Sequence, residues 1–417
     1  MSPRLRRIES KRTLGDEVGI YEEFGIRPVI NAAGPVTRLS GAPLHPEVAG
    51  AMAEAAQSCV RIDELQEAAG RYLAEMSGAE AGYVTSGAAA GLAVAAAAAI
   101  ARFDVSVMDR LPDTAGLPNE IVIQRAHVTA YSHALRLPGA RLVEVGYLGY
   151  PGQGISWPWQ IESAITERTI ALAFSIGRAP GVVPLQDVVR IARRHDLPVI
   201  VDAAAALPPR ENLRQFIADG ADLVAFSGGK AIGGPQASGI LIGRKDLIES
   251  VALQQQDMDV YPETWPWRQR YLESGLLPGP PHHGIGRPMK VGKEEVVGLL
   301  VALRRFLERD LEKERAEQDA ELRSILDGLQ GIPGIEPELL NDANSPRAYP
   351  TLMIRLDESR VEMSAAALVN ALAEGEPPIA VSQNFLDQNA IGIVATTLKP
   401  GEAAVIERTL KSVFGLE

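Results

Sequence analysis

The sequence predicts an α/β protein in which a mostly parallel sheet is flanked by helices and followed by a smaller α+β domain. Short apolar runs alternate with amphipathic segments between residues 82 and 242, which is typical of such a sheet. The pattern changes at Lys293, where a long charged segment begins. With 417 residues, the chain is also longer than a single compact core usually accommodates.

Seven runs rich in β-branched and aliphatic residues predict the strands of the large domain. They are Gly82–Thr85, Glu120–Gln124, Arg141–Val145, Ile170–Phe174, Leu197–Asp202, Leu223–Phe226 and Gly239–Ile242. Helical patterns lie around and between them, at Leu44–Met76, Ala88–Ala99, Ala130–Leu137 and Leu185–His195. The alanine-rich run Ala88–Ala99 is too short for a membrane span and predicts a buried helix. Several of the other helices would cross over between parallel strands.

The C-terminal part has a different pattern. Lys293–Leu329 predicts one long amphipathic helix. Strands are predicted at Ala348–Leu356, Pro378–Val381 and Ala390–Thr396, and helices at Val361–Ala373 and Pro400–Phe414. Tyr261–Arg287, with five prolines and four glycines, predicts a structured loop. We therefore expect an N-terminal arm at residues 1–30, a large domain at 31–292 and a small domain at 293–417.

Composition and charge restrict the class of protein. No run of 18 apolar residues is present, and the basic start lacks the apolar core of a signal peptide. The single cysteine, Cys59, excludes an internal disulfide framework, and these features together predict a cytoplasmic protein. The net charge of −12 argues against nucleic-acid binding and the sequence predicts no membrane partner. Five basic residues in the first twelve are a local exception, for which a solvated arm is favoured over RNA binding.

Asp202 and Lys230 form the strongest chemical signal. Asp202 ends the apolar run PVIVD, so its carboxylate is expected at the edge of the sheet where α/β proteins bind ligands. Lys230 follows the strand DLVAF and the turn Ser227–Gly228–Gly229. A lysine that forms a Schiff base and a carboxylate that keeps a pyridine nitrogen protonated are what pyridoxal 5'-phosphate requires. Alone, each residue is better explained as a strand cap or a loop cation, but their spacing favours a shared cofactor site.

A second element could hold the phosphate of that cofactor. Thr85, Ser86, Gly87 and Ala88 join a strand to the start of a helix, where backbone N–H groups and hydroxyls bind anions. Ser227 would add a hydroxyl from the lysine turn. By itself a Ser-Gly helix start is often only a cap, so this element supports the assignment rather than carrying it.

These motifs resemble those of the selenocysteine synthase (L-seryl-tRNA selenium transferase) family of fold-type-I pyridoxal-phosphate enzymes. The resemblance rests on VTSGAAAGL, PVIVDAAAALPP and GADLVAFSGGKAIGGPQASGILIGR. INAAGPVTRLSG and GIGRPMKVGKEE resemble more closely the D-glucosaminate-6-phosphate ammonia-lyase-like branch. The resemblance spans residues 20 to 300 well and the C-terminal domain loosely. It implies fold type I, with Lys230 as the Schiff-base lysine and Asp202 as the partner of the ring nitrogen.

Position in that family indicates one further site residue, His127, whereas the candidates for binding substrate anions follow from the loops in which they stand. His127 would stack on the cofactor ring, with a buried core histidine as the alternative. Arg38, Arg287 and Lys290 are candidates for binding substrate anions, although each could be a surface cation instead. Where fold-type-I enzymes often carry a carboxylate-binding arginine, Pro378–Gln383 has none, which leaves Arg347 and Arg355 as substitutes. No metal site is predicted, because His282 and His283 lack carboxylate or cysteine neighbours at ligand spacing.

The resemblance implies a lyase of the ammonia-lyase type. The expected reaction is α,β-elimination from a hydroxylated, possibly phosphorylated, sugar-type amino acid, giving a keto acid and ammonia. Racemisation and aldol cleavage of an amino acid stay open, because the same cofactor serves them. A tRNA-directed selenium transferase is a further alternative, which the acidic net charge disfavours. A homodimer or a larger assembly of dimers is expected.

Overall fold

The computed structural model describes residues 19–147, 156–177, 181–340 and 349–416. They form two compact units, a large one at residues 35–310 and a small one that joins residues 19–34 to 311–416. These bounds differ from the expected division at residues 30/31 and 292/293. The difference at the second boundary arises because the helix Lys293–Glu308 packs on the helix Pro46–Ala56 within the large unit. Glu47 there accepts hydrogen bonds at 2.6 Å from both Arg304 and Arg305.

The α-helices and strands are numbered along the described residues. The helices are α1 Ile20–Glu23, α2 Pro46–Ala56, α3 Ile62–Ser77, α4 Ala88–Ala101, α5 Val105–Arg110, α6 His133–Arg136, α7 Pro158–Ala164, α8 Leu185–Arg194, α9 Asn212–Ala218, α10 Lys245–Gln255, α11 Lys293–Glu308, α12 Leu311–Leu329, α13 Glu358–Val361, α14 Ala365–Glu374 and α15 Glu402–Val413. The strands are β1 Ile30–Ala32, β2 Ala81–Thr85, β3 Glu120–Gln124, β4 Arg141–Val145, β5 Thr169–Ser175, β6 Val199–Asp202, β7 Leu223–Ser227, β8 Gly239–Gly243, β9 Ile335–Leu340, β10 Thr351–Leu356, β11 Ile379–Val381 and β12 Ala390–Ile393.

The large unit is built on a sheet of seven strands in the order β2-β8-β7-β6-β5-β3-β4. The strands β4, β3, β5, β6 and β7 lie side by side in this order, and each pairs in parallel with the next. Strand β8 is antiparallel to both β2 and β7. The carboxyl ends of β2, β3, β5, β6 and β7 therefore lie along one edge, which we call the carboxyl edge. The predicted α/β fold with a mostly parallel sheet is confirmed.

Helix α4 lies against the centre of this sheet because its side chains are small. Ala95, Ala96, Ala97 and Ala98 are fully buried, and α4 packs on β7, β8 and helix α10. Alanine favours the helix and has no bulk that would hold it away from the strands. The prediction of a buried helix is confirmed, and the helix begins directly after the end of β2.

One helix prediction was wrong in its continuity. Lys293–Leu329 is not one helix but two, because α11 ends at Glu308 and Arg309 has extended backbone angles. The Arg210 guanidinium binds the carbonyl oxygens of Leu307 and Arg309, which would otherwise lie unsatisfied at the helix end. The segment Leu44–Met76 is mostly helical, as predicted, and contains α2 and α3.

The small unit contains an antiparallel sheet in the order β12-β10-β9 and a separate parallel pair of β1 with β11. Strand β9 was not predicted. The pairing of Ile30–Ala32 with Ile379–Val381 explains why the N-terminal residues belong to this unit. In the part of the chain described here, no helix has both the length and the apolar character needed to cross a membrane.

Candidate active site

Five adjacent strands, β2, β8, β7, β6 and β5, meet at the carboxyl edge, where the predicted residues Thr85, Ser227 and Asp202 lie. Strand register places Gly239 opposite both Thr85 and Ser227, and Ser175 opposite Asp202. Strand β6, which ends at Asp202, lies directly beside β7, which ends at Ser227. Residues from distant parts of the sequence therefore meet in one row.

The turn that carries Lys230 is fixed by backbone hydrogen bonds. Gly228 N–H donates to the Ser238 carbonyl, and Gly234 N–H donates to the Gly228 carbonyl, both at 2.9 Å. A Cβ at Gly228 would lie 2.2 Å from Ser238 Oγ, so a larger residue does not fit there. This close packing holds Lys230, which is half-buried, at the end of β7.

Asp202 is a partly buried carboxylate close to that lysine. Burial raises the pKa of Asp202, while the Ala204 N–H, which donates to Oδ1 at 3.0 Å, and the charge of Lys230 both lower it. A carboxylate kept from water in this way gains from a cationic partner. The charge of Lys230 therefore acts on Asp202, which ends the strand next to the one that precedes the lysine turn.

The turn between β2 and α4 has the features of an anion-binding helix start. Gly87 has a φ of 134°, which favours glycine, and no atom lies within 4 Å of the position of its missing Cβ. The first N–H groups of α4, beginning at Ala88, have no partner within the helix. The hydroxyls nearby are engaged, since Thr85 Oγ1 donates to the Gly87 carbonyl at 2.8 Å and Ser86 Oγ to the Met289 carbonyl at 2.9 Å. The backbone N–H groups are therefore the available donors.

His127 lies just beyond the end of β3, in a 3₁₀ turn, and is 3% exposed. Its ring makes an edge contact with Phe174 at a centroid distance of 4.3 Å. The Ser175 N–H donates to Nδ1 at 3.5 Å, and Ser175 Oγ donates to the His127 carbonyl at 3.4 Å. Burial lowers the pKa of His127 to about 4, so the imidazole is neutral near pH 7.

Of the three candidates for substrate anions, Arg38 is linked to the lysine turn. Thr37 Oγ1 accepts a hydrogen bond from Gln236 Nε2 at 3.0 Å, and the Gln236 backbone packs on Gly229. Arg38, the next residue, is exposed and lies in the same short 3₁₀ turn. Gln236 was missed in the sequence, where it stands as an ordinary loop residue.

Arg287 and Lys290 are linked instead to the turn before α4. Met289 lies between them in the sequence, and its carbonyl accepts a hydrogen bond from Ser86 Oγ. Lys290 is exposed, whereas Arg287 is half-buried and paired with Asp257. Asp257 was not among the predicted residues. Of the two substitutes, Arg355 pairs with Glu336 at 3.7 Å on the neighbouring strand of the small unit, and Arg347 lies outside the described residues.

The expectation that His282 and His283 lack carboxylate neighbours was wrong. His282 Nδ1 lies 2.6 Å from Asp109 Oδ2. His283 Nε2 lies 3.7 Å from one carboxylate oxygen of Asp257 and of Asp259. The carboxylates come from segments that are distant or separated by a turn, so residue spacing could not reveal them. Asp257, Asp259 and His283 are all exposed, and Asp257 already binds Arg287.

A cavity of about 380 Å³ lies away from these residues. Its walls come from α3, α10, the beginning of β2 and the aromatic residues Trp267 and Tyr271. Because β2 ends at Thr85, the start of this strand at Ala81 is its opposite end. The lining includes none of the predicted site residues.

Comparison with known proteins identifies the family to which the chain belongs. The model of the family described as SelA, L-seryl-tRNA selenium transferase, matches residues 29–259, which include β1 to β8. The chain belongs to this family. The resemblance seen in the sequence motifs is therefore confirmed.

Two relatives are similar over nearly their whole length. One is a D-glucosaminate-6-phosphate ammonia lyase from Salmonella typhimurium, 34% identical over 94% of this chain and 97% of the relative. The other is a 5'-C-glycyluridine monooxygenase-decarboxylase from a Streptomyces species, 35% identical over 95% and 92%. A solved structure of D-glucosaminate-6-phosphate ammonia-lyase superposes with a TM-score of 0.78 at 33% identity, covering 95% of this chain and 98% of that one. Fold type I and the relationship to the ammonia-lyase branch are confirmed, and the predicted enzyme class agrees with these similarities.

Proposed function

We propose that this family member is a pyridoxal-phosphate-dependent ammonia-lyase. The observation that carries the proposal is the meeting of Lys230, Asp202 and the open helix start at Gly87 on one edge of the sheet. These groups fit the cofactor in their chemistry. A lysine amine can hold its aldehyde, a partly buried carboxylate can pair with its ring nitrogen, and helix N–H groups can bind its phosphate. His127, which is buried and neutral, would lie against the ring.

When bound, pyridoxal phosphate would supply an aldehyde that links to amines and a ring that withdraws electrons from the bond being broken. Lys230 would take the proton from the substrate α-carbon and return a proton to the departing β-hydroxyl, which leaves as water. Asp202 would hold a proton at the ring nitrogen, since its partly buried carboxylate gains from a positive partner. Hydrolysis of the unsaturated amine consumes one water and gives a keto acid and ammonia.

The proposed substrate is a hydroxylated sugar-type amino acid that carries a phosphate. Support comes from the similarity to the Salmonella lyase and from Arg287 and Lys290, which flank the residue bound by Ser86. Arginine binds phosphate oxygens in a two-pronged geometry, and lysine adds a flexible charge. Arg38, beside the lysine turn, is the candidate for the substrate carboxylate.

The decisive experiment is a substrate panel on the cofactor-loaded protein. It includes D-glucosaminate 6-phosphate, the unphosphorylated sugar acid, and D- and L-β-hydroxy amino acids, with ammonia, keto acid and aldehyde measured separately. Ammonia and keto acid in equal amounts are expected from the phosphorylated sugar acid. Aldehyde release or loss of optical activity without ammonia would indicate aldol cleavage or racemisation instead.

A second candidate is oxidative decarboxylation, because the Streptomyces relative is as similar to this chain as the lyase is. This reaction consumes oxygen and releases carbon dioxide, whereas the elimination does neither. Oxygen uptake with a nucleoside-linked amino acid, in an oxygen electrode, would favour it. Tight, salt-resistant binding of tRNA would favour a selenium transferase, against which the net charge of −12 argues.

We also propose that the chain assembles as a homodimer or a larger assembly of dimers. Support comes from the exposed apolar side chains near its N-terminus, of which Tyr21 and Phe24 are 58% and 66% exposed. Exposed apolar clusters commonly mark protein contacts. Sedimentation velocity is expected to show a dimer or a multiple of it, and a stable, active monomer would contradict the proposal.

A further inference from the structure

The substrate-anion candidate Arg287 is already held by a carboxylate of its own chain. Its guanidinium donates through Nη2 to Asp257 Oδ2. Arg287 begins the 3₁₀ turn Arg287–Met289, while Asp257 follows the end of α10, thirty residues earlier. The ion pair is only partly shielded from water, with 27% of the Arg287 side chain and 41% of the Asp257 side chain exposed. An incoming anion can therefore reach it.

Asp257 is fixed as an anion in this position. Its Oδ1 accepts the Asp259 N–H at 3.2 Å, and this hydrogen bond, followed by that from Arg287, lowers the pKa of Asp257. The same oxygen lies 3.7 Å from His283 Nε2. The carboxylate thus has a second partner within reach when it leaves Arg287.

The backbone around Arg287 is anchored to the large unit. The turn before it packs on the end of α10, where Gly286 N–H donates to the Gln254 carbonyl at 3.1 Å. A Cβ at Gly286 would lie 2.6 Å from Gln255 Cγ. Arg287 Nε is buried and has no hydrogen-bond partner among the described residues. Two residues later, the Met289 carbonyl accepts a hydrogen bond from Ser86 Oγ, just before the start of α4.

We propose that Asp257 is an internal competitor that occupies Arg287 until a substrate phosphate displaces it. The proposal rests on the function proposed above, in which Arg287 binds the anionic end of the substrate. An attached carboxylate competes at an effective concentration on the order of millimolar. A monoanionic or neutral group offers Arg287 little more than Asp257 already does. A phosphate near neutral pH carries more charge and three acceptor oxygens, so it competes best.

The test compares Asp257→Asn with Asp259→Asn in cofactor-loaded protein, so that the cofactor's own phosphate site is filled. Asparagine keeps an oxygen for the Asp259 N–H but removes the charge that competes at Arg287. Titration calorimetry with inorganic phosphate is expected to show about tenfold tighter binding to Asp257→Asn, and no change for Asp259→Asn, which lacks a bond to Arg287. Asp257→Ser, which also keeps a short acceptor, serves as a second variant in case the first does not fold.

The kinetic consequence is a larger preference for the phosphorylated substrate. In Asp257→Asn, KM for the phosphorylated substrate should fall by up to about the same tenfold, whereas KM for the unphosphorylated substrate, which has no phosphate to bind at Arg287, should change little. Phosphate affinity and the KM ratio unchanged in both Asp257 variants would overturn the proposal. The calorimetric result is independent of turnover. If no lyase activity is found with any substrate, the calorimetric titration still decides whether Asp257 competes for Arg287. Failure of the proposed function and failure of the proposal for Asp257 can therefore be distinguished.

Discussion

At the scale of single residues, Lys230 is the group whose removal has the clearest expected effect. Lys230→Ala removes the only amine that the turn places beside Asp202 within the described residues. Loss of a proton-transferring side chain commonly costs about 10²–10⁴-fold in rate, and loss of the covalent anchor adds to this. We expect no borohydride-sensitive visible absorbance and no measurable ammonia release. Lys245→Ala, at an exposed lysine after the opposite end of β8, is the control and should behave as the wild type.

Asp202→Asn should separate activity from stability. The neutral side chain no longer favours a protonated ring nitrogen, so kcat should fall on the order of 10²-fold, as for other lost electrostatic contacts. Burial raises the pKa of Asp202, so ionisation opposes folding of the cofactor-free protein. The variant should therefore have a higher Tm than wild type near pH 7. This advantage should shrink as the pH falls toward the ordinary pKa of the carboxyl, where both proteins are uncharged at this position. Unchanged kcat together with unchanged Tm would contradict both roles.

The sequence predicted the residues whose signal is local. Lys230 and Asp202 each stand at the end of an apolar run, and glycines mark the turn beside the lysine. Ser175 and Asp257 carry no such signal. Ser175 lies next to Asp202 only because β5 pairs with β6. Asp257 binds Arg287 only because a turn thirty residues later returns to the end of α10. Pairings of this kind depend on the folded chain and are not visible in residue spacing.

At the scale of elements, the start of β8 supports the anion-binding turn. A Cβ at Gly239 would lie 2.5 Å from the Gly87 carbonyl carbon and 2.7 Å from Ala88 N. Gly239→Ala should therefore displace the helix start, at a cost of about 1–3 kcal/mol in unfolding free energy. Weaker binding of pyridoxal phosphate should accompany it, measured by titration of the cofactor-free protein.

Gly50→Ala provides the matched control for this change. Gly50 lies within α2, and the space at its missing Cβ is open to 4 Å. Alanine there should leave cofactor affinity unchanged and stabilise the helix slightly. Equal cofactor affinity in Gly239→Ala and the wild type would show that the turn tolerates the displacement.

The strands of the large sheet were predictable because each is an apolar run bounded by turn residues. The order of these strands in the sheet and their direction were not predicted from the apolar pattern. Gly239–Gly243 follows the lysine turn too closely for a crossover helix, yet its apolar pattern is the same as that of the parallel strands. Its antiparallel pairing with β2 brings Gly239 against Gly87. The break between α11 and α12 was missed for a similar reason, since Arg210 binds the end of α11 from almost a hundred residues earlier.

At the scale of the whole molecule, the division into units shows the same limit. The character of the sequence changes at Lys293, but α11 belongs to the large unit because it packs on α2. Conversely, Ile30–Ala32 joins the small unit by pairing with a strand almost 350 residues later. Periodicity identifies elements, whereas unit boundaries depend on which faces they share.

The acid stability of the molecule should depend on His127. Its folded-state pKa of about 4 lies below the ordinary value of 6.5, so the neutral ring is favoured by folding. The stability that this contributes is fully present above about pH 6.5 and is lost progressively as the pH falls from there to about 4. The shift corresponds to roughly 2 kcal/mol lost by pH 5. His127→Phe keeps an aromatic ring against Phe174 without a titrating group. Urea unfolding of cofactor-free protein at pH 7.5 and pH 5 should therefore show a smaller loss for the variant, and equal losses would mean that His127 titrates normally in the folded protein.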